Sequence, residues 1–160
     1  MRITGMNHAV LYVRDARRTA AFYEEVLGFV PVIVDDGGRF AFLRAGASEN
    51  HHDIAFFTVG EGAGGPTTGG FVGLYHIAWQ VPTLDDLIAA HDRLVEAGAL
   101  VGMSDHGPNK SLYAKDPDGI EFEVMWLVPA DQWGAEEHEA IVRPLDLQAV
   151  AARWGPSSPT

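Results

Sequence analysis

The segments MNHAVLYV at residues 6–13 and LYHIAWQV at residues 74–81 decide the fold, because they are two versions of one pattern. Each is rich in apolar and β-favouring residues, which predicts a strand. Each carries one histidine, His8 or His76, and the two positions differ by 68 residues. Since a helix pattern follows each segment, the recurrence predicts two copies of one structural unit.

The first unit is predicted to have the order β-α-β-β-β over residues 4–59. Asp15 is a favourable N-cap for a helix that ends near Leu27, and Gly28 supplies the stop. Apolar stretches on either side of an Asp-Asp-Gly-Gly turn, and a third one further on, predict the remaining strands at residues 30–34, 39–44 and 52–59.

The second unit repeats this order over residues 74–128, after a Gly-rich linker at residues 60–73. Thr83 is the N-cap of its helix, which is predicted to run to about Ala97. Its later strands are predicted at residues 99–103, 111–115 and 120–127. The chain is therefore divided into a domain of residues 1–128 and a C-terminal extension of residues 129–160.

The C-terminal extension is predicted to contain an extended stretch and a short helix. Its apolar residues need burial, and we expect them to pack over the inner face of the domain or at a subunit contact. They are Ile141, Val142, Leu145, Leu147 and Val150.

Each unit is too small to bury its own sheet face. We therefore predict an α+β fold in which two tandem βαβββ modules form an incomplete barrel, with the helices outside. Strand alternation places His8, His76 and Glu123 on inward faces beside apolar neighbours. A divalent metal bound by these three side chains would offset the cost of burying an unpaired carboxylate.

Simpler interpretations of the same residues stay open. A single histidine in a strand is more often a hydrogen-bonded core or surface residue than a metal ligand. Glu121 and Glu123 also fit a solvated strand face, and His51, His52 and Asp53 fit an exposed loop end. The metal prediction therefore depends on the repeat and on the joint spacing of the residues.

The composition excludes several functional classes. The 160 residues include no cysteine, so disulfides, thiolate zinc sites, iron–sulfur clusters and a cysteine nucleophile are excluded. A net charge of −11 disfavours binding to nucleic acid or anionic lipid. No apolar run approaches the ~18 residues of a membrane span. Since no signal segment is seen, a cytoplasmic protein is expected.

Four stretches resemble the vicinal oxygen chelate superfamily, which contains glyoxalases, bleomycin and fosfomycin resistance proteins and extradiol dioxygenases. They are NHAVLYVRD with FYEEVLGF, YHIAWQV, and DPDGIEFE. Members of that family place a divalent metal inside paired βαβββ modules. The resemblance assigns the metal ligands to His8, His76 and Glu123. Glu121 lies outside the ligand position, and a role at the rim of the site is expected for it.

Three further features resemble the catechol 2,3-dioxygenase group of type I extradiol enzymes. HDIAF at residues 52–56 matches a strand whose His is an acid/base, which implies this role for His52. Tyr113 stands in Y-x-x-D-P-x-G before the metal-binding Glu, and His106-Gly107 precedes it as a substrate-contacting pair. The spacing from His106 to Tyr113 is shorter than in the larger enzymes, and many of those carry a second pair of modules.

The resemblance implies an oxidoreductase of aromatic-compound catabolism. It would use Fe(II), or alternatively Mn(II), to cleave the ring of a small catechol-like aromatic diol with dioxygen. Two imidazoles and one carboxylate with open positions suit non-haem Fe(II). A homodimer or higher homo-oligomer is expected. The alternatives are another metal-dependent activity, such as a glyoxalase-like isomerisation or a thiol transfer, and a non-catalytic small-molecule-binding resistance protein.

Overall fold

The computed structural model describes residues 1–66 and 72–155. The linker predicted at residues 60–73 and the extension predicted to residue 160 lie partly outside the described residues. Within them no helix has the length and apolar character needed to cross a membrane.

The first sheet follows the predicted order β-α-β-β-β. Asp15 accepts hydrogen bonds from the amides of Arg17 and Arg18 and so begins α1, and Gly28 ends it with a φ of 72°. Strand β1 is parallel to β4, the other pairs are antiparallel, and the strand order is β1-β4-β3-β2. The elements are β1 Ala9–Val13, α1 Ala16–Leu27, β2 Val30–Val34, β3 Phe40–Arg44 and β4 Ile54–Thr58.

The second sheet repeats this arrangement and gains one short strand. Thr83 begins α2 by accepting a hydrogen bond from the amide of Asp86. The strand order is β5-β8-β7-β6-β9, with β5 parallel to β8. The elements are β5 Ile77–Val81, α2 Leu84–Glu96, β6 Leu100–Asp105, β7 Asn109–Lys115, β8 Glu121–Leu127, β9 Arg143–Pro144 and α3 Leu147–Trp154. The predicted α+β class with two βαβββ modules is confirmed.

The two sheets also agree in register. Val10 pairs with Ala55 in the first sheet, and Ala78 pairs with Glu123 in the second, so both members are displaced by the same 68 positions. A register shift recurs as well, between Pro31 and Ile33 in β2 and between Leu100 and Gly102 in β6. The repeat therefore extends from element order to individual residue pairs.

Each sheet buries one face against its own helix. In the first unit, fully buried side chains of α1, β3 and β4 meet, among them Tyr23, Leu43 and Phe56. In the second, Phe122, Val124 and Trp126 form a buried apolar face of β8, and α2 contributes Leu87 and Leu94. Burial of these apolar faces is the main favourable contribution to the folding of each unit.

The chain divides by contacts into two compact units, Met1–Gly69 with Asp116–Gly119, and Gly70–Lys115 with Ile120–Thr160. The turn Asp116–Gly119 belongs to the first unit because the Asp118 carboxylate accepts hydrogen bonds from the amide and the guanidinium of Arg14 and from Arg18, at 2.9–3.0 Å. The module boundaries drawn from the sequence stay a prediction.

Several predicted boundaries were wrong by one to three residues. Strands β1, β4 and β5 begin after His8, His52 and His76. In the first sheet, the pairing of β1 starts with the hydrogen bond from the amide of Ala9 to the carbonyl of Asp53. In the C-terminal extension Leu145 and Val150 are buried as predicted, but Val142 is 77% exposed. Two 3₁₀ turns, Ala130–Gln132 and Gly134–His138, were also not predicted.

Candidate active site

His76 and Glu123 form a close pair in the second unit. His76 stands directly before β5, and Glu123 lies in β8, the parallel strand beside it. The Nε2 atom of His76 is 3.1 Å from Oε2 of Glu123. Glu123 is buried, and the Nδ1 atom of His76 is buried without a hydrogen-bond partner among the described residues. A nitrogen and an oxygen donor so placed fit two ligands of a divalent metal.

Tyr113 lies beside this pair. It sits in β7 directly opposite Glu123, and its ring is 5.7 Å from the ring of His76 in an edge-on arrangement. Burial and the charge of Glu123 raise the pKa of the Tyr113 phenol above its ordinary value. The hydroxyl is therefore protonated at neutral pH and has a proton to donate.

His106 joins the same group from the turn after β6. Its Nε2 atom is 2.9 Å from the Tyr113 hydroxyl, and its Nδ1 atom is 2.7 Å from the carbonyl oxygen of Ile141. The structure thus brings together four of the six predicted site residues in the second unit. They are His76, His106, Tyr113 and Glu123.

Glu121 shares a face of β8 with Glu123 but is paired differently. It forms a hydrogen bond with the hydroxyl of Tyr75, whose pKa its charge raises. Tyr75 is 75% exposed, so this contact lies near solvent. The role of Glu121 at the rim of the site remains a prediction, and its hydrogen bond with the exposed Tyr75 supports it.

The first unit holds His8 and His52. Their ring centroids are 4.5 Å apart, and the Nδ1 atom of His8 is 2.8 Å from the side-chain oxygen of Asn7. The Nδ1 atoms of His51 and His52 are 3.0 Å apart. Burial, followed by the neighbouring His8 and His51, lowers the pKa of His52 below its ordinary value. His52 is therefore mainly neutral at pH 7, and one of its two ring nitrogens carries a lone pair.

The loop that carries His52 is held by the next residue. The Asp53 carboxylate accepts hydrogen bonds from the amide of Ala45, from Ser48 and from Asn50, at 2.7–2.9 Å. Phe42 packs edge-on against the His52 ring at 5.1 Å. Backbone and ring are both constrained, which suits a group that must hold one orientation.

The sequence gives no functional role to two groups at the site. His51 is exposed, as one interpretation of the sequence expects, and its adjacency to His52 is the signal for the contact between their rings. The carbonyl of Ile141 has no signal in the sequence, because every residue carries one. Over residues 1–66 and 72–155, no group of three or more His, Asp or Glu side chains is gathered to hold a metal ion. The three-ligand set His8, His76 and Glu123 draws on both units and stays a prediction.

The fold and these residues define a class of protein. Residues 5–124 match the Glyoxalase/Bleomycin resistance protein/Dioxygenase superfamily, and the chain belongs to that superfamily. A solved structure of a glyoxylase/bleomycin resistance protein/dioxygenase domain from Frankia sp. EAN1pec has the same fold, with a TM-score of 0.67. It is 23% identical and covers 86% of this chain and all of that one.

Among curated relatives, Catechol-2,3-dioxygenase of Bacillus subtilis (strain 168) is 31% identical over 130 residues, and Metapyrocatechase of Pseudomonas sp. (strain CF600) is 33% identical over 133 residues. These matches cover 81% and 78% of this chain, but the chain spans only 44% and 40% of the length of those relatives. Metallothiol transferase FosB of Lysinibacillus sphaericus (strain C3-41) is 26% identical over 133 residues. That match covers 77% of this chain and 82% of that relative.

Proposed function

We propose that this chain is an extradiol ring-cleavage dioxygenase that acts on a catechol-like aromatic diol. One observation carries the proposal: the paired His76 and Glu123 have the hydrogen-bonded Tyr113 and His106 directly beside them. A pair of metal ligands alone fits any member of the superfamily. The adjoining phenol and imidazole add what is needed to orient a hydroxylated ring. The similarity to two dioxygenases at 31% and 33% identity supports the same reaction.

The metal is proposed to be Fe(II), with Mn(II) as the alternative, held by His8, His76 and Glu123. Two neutral imidazoles and one carboxylate are a ligand set typical of Fe(II) oxygenases. When bound, the ion supplies the redox chemistry between diol and dioxygen. His76 and Glu123 are already adjacent, so loading requires little rearrangement within the second unit.

The proton chemistry is assigned to this chain's own side chains. His52 is proposed to accept a proton at a ring nitrogen from a substrate hydroxyl and to return it later, since its lowered pKa leaves the ring neutral at pH 7. Tyr113 is proposed to hold a substrate oxygen by a hydrogen bond, and His106 to hold Tyr113. Phe42 keeps the His52 ring in place by its edge contact.

The test is oxygen uptake by protein loaded anaerobically with Fe(II). A panel of catechols is the substrate set, and 1,4-dihydroxybenzene is the matched control, because its hydroxyl oxygens are not vicinal and cannot chelate one metal. We expect uptake with at least one catechol, none with the control, and a product heavier than its substrate by one dioxygen. Fully loaded protein that consumes no oxygen with any catechol would contradict the proposal.

A thiol transfer is the second candidate, favoured by one observation. The chain spans 82% of the metallothiol transferase relative, which it matches in length better than the dioxygenases. Metal-dependent loss of free thiol in the presence of an electrophile, without oxygen uptake, would favour this candidate. Running both assays on the same loaded sample separates the two.

A further inference from the structure

We propose that residues 136–144, here called the strap, set the proton position on His106 and thereby make the Tyr113 oxygen a hydrogen-bond acceptor toward the substrate. Its catalytic consequence rests on the proposed dioxygenase function. The strap itself lies in the C-terminal extension, beyond the residues 5–124 that match the superfamily.

The first step concerns the His106 ring. Its Nδ1 atom faces the Ile141 carbonyl oxygen at 2.7 Å, and a carbonyl oxygen only accepts. Nδ1 therefore carries a hydrogen. In the neutral imidazole the other nitrogen, Nε2, then has a lone pair and no hydrogen.

The second step concerns Tyr113. Its hydroxyl is 2.9 Å from this Nε2, so the hydroxyl donates its single proton to His106. The phenol oxygen has two lone pairs, so it can accept from the neighbouring Ser111 hydroxyl and still accept from another partner. Toward the substrate, Tyr113 is then an acceptor that suits a hydroxyl still carrying its proton. Without the strap, the ring is free to adopt the other tautomer, and the Tyr113 proton is free to point at the substrate.

The third step concerns what holds the strap in place. Strand β9 pairs with β6, which sets Arg143 opposite Asp105, the residue before His106. Arg143 Nε donates to Asp105 Oδ2 at 3.0 Å, and its two terminal nitrogens donate to Glu136 at 3.0 and 3.3 Å. The other Asp105 oxygen accepts from the buried Lys110 at 2.6 Å. Arg143 thus connects the strap to β6 through Asp105, and it joins the two ends of the strap through Glu136.

Close packing at Gly107 supports the same arrangement. Gly107 has a φ of 78°, and a Cβ there would lie 2.9 Å from Oε2 of Glu136 and 3.1 Å from Cδ1 of Ile141. The strap therefore lies directly on the backbone beside His106. Only glycine fits at this position, because the backbone has a positive φ and there is no room for a Cβ atom.

The test compares Arg143→Gln with Arg153→Gln. Arg143 is 46% exposed at its side chain, so its substitution should not prevent folding. Arg153 is an exposed residue of α3 that stacks on Trp154 and has no part in the strap, which makes its variant the matched control. Arg143→Lys keeps the positive charge and should restore part of the effect.

The first readout is the tautomer of His106, obtained from ¹⁵N–¹H correlations of the ring nitrogens, with His106→Gln used for assignment. We expect the Nδ1–H form in the wild-type protein and in Arg153→Gln, and a mixture of both tautomers in Arg143→Gln. A wild-type ring in the Nε2–H form, or a ring protonated on both nitrogens at pH 7, would overturn the proposal whatever the activity.

The second readout is kinetic. Arg143→Gln is expected to lower kcat by about three- to tenfold, with little change in KM. This is the decrease in rate expected when one hydrogen bond to the substrate is lost in the transition state. In a Tyr113→Phe background the same substitution should have no further effect, because the strap acts through that hydroxyl. Additive losses would overturn the assignment. If no variant consumes oxygen while the tautomers behave as expected, the dioxygenase proposal fails and the strap assignment stands.

Discussion

The first and second sheets have the same strand order, the same pairing register and the same irregularity in their second strands, but they carry different side chains at the equivalent central position. Ala55 in β4 pairs with Val10, and Glu123 in β8 pairs with Ala78. Across the next strand, Phe42 stands opposite Ala55, and Tyr113 stands opposite Glu123. An apolar pair in one sheet therefore corresponds to a carboxylate and a phenol in the other.

This difference shows that the two units repeat the same backbone arrangement but not the same polar side chains. A βαβββ unit needs one apolar face against its helix, and both units have it. The opposite face is not constrained in the same way, so a carboxylate can be present at this position in one unit and absent from the other. A buried carboxylate is tolerated at Glu123 because His76 stands 3.1 Å away. The first sheet has no such requirement at Ala55.

The largest effect is expected from Glu123→Ala, which removes the difference between the sheets by giving the second sheet the residue that the first has at Ala55. We expect loss of the metal and of all metal-dependent activity. The loss of affinity should exceed the ~10–100-fold that follows removal of a supporting hydrogen bond to a ligand. Metal content by mass spectrometry after gel filtration is the measurement. Glu121→Gln, on the same face of the same strand, is the control and should keep its metal. Equal losses would show that the ligand is wrongly assigned.

His52→Phe removes the proposed acid/base in the first unit and tests whether that unit contributes chemistry. Metal content should be unchanged, since His52 is not a proposed ligand. Turnover should fall by ~10²–10⁴-fold, the usual contribution of a positioned acid/base. Oxygen uptake on metal-matched samples measures it, and His91→Gln, at a partly exposed histidine of α2 in the second unit, serves as the control. Wild-type turnover in His52→Phe would leave His52 with a structural role only.

Tyr113→Phe makes the second sheet resemble the first in the neighbouring strand, where Phe42 stands opposite Ala55. The loss of one hydrogen bond to the substrate predicts about a five- to tenfold decrease in turnover. Adding Phe42→Tyr should not restore the activity, because the hydroxyl then lies in the unit that lacks the carboxylate. Steady-state kinetics of both variants decide this, and restoration by the double variant would mean that the sheets are chemically interchangeable.

The smallest expected effect compares two carboxyls, one in each unit. Burial alone raises the pKa of Asp53 and of Asp105, but hydrogen bonds outweigh it and hold both pKa values below their ordinary range. The donors to Asp53 are Asn50, Ala45 N and Ser48, and the donors to Asp105 are Lys110, Gly107 N and Arg143. A lowered folded-state pKa means that the stabilisation is present above the unfolded pKa of ~3.9 and is lost as the pH falls through the folded value.

Asp53→Asn and Asp105→Asn should therefore each lower the free energy of unfolding by about 1–2 kcal/mol at pH 7. Each deficit should shrink below about pH 4 and disappear once the wild-type carboxyl is protonated. Urea unfolding over a pH series measures both. A deficit that does not change with pH in either variant would show that the charge of that carboxyl is not what stabilises its unit.

Much of this could be predicted from the sequence, because the relevant signals are local. Capping by Asp15 and Thr83, the stop at Gly28 and the alternation of side chains along strands all depend on residues within a few positions of each other. The offset of 68 residues between His8 and His76 also relates Ala55 to Glu123, and the strand registers agree with it. Strand ends were less predictable, since the hydrogen bond that starts β1 is accepted by the carbonyl of Asp53, far along the chain.

The sequence by itself determined the repeat, the α+β class, the residues available for chemistry and the absence of a carboxylate from the first unit at the place of Glu123. Only the tertiary structure decided how those residues are paired. Glu123 faces His76 because β8 lies parallel to β5, and His106 meets a carbonyl 35 residues away because β9 adds to the edge of β6. Periodicity and capping are encoded between neighbours in the chain. Hydrogen bonds across strands depend on strand order and register, and a backbone carbonyl such as that of Ile141 looks the same at every position of the sequence.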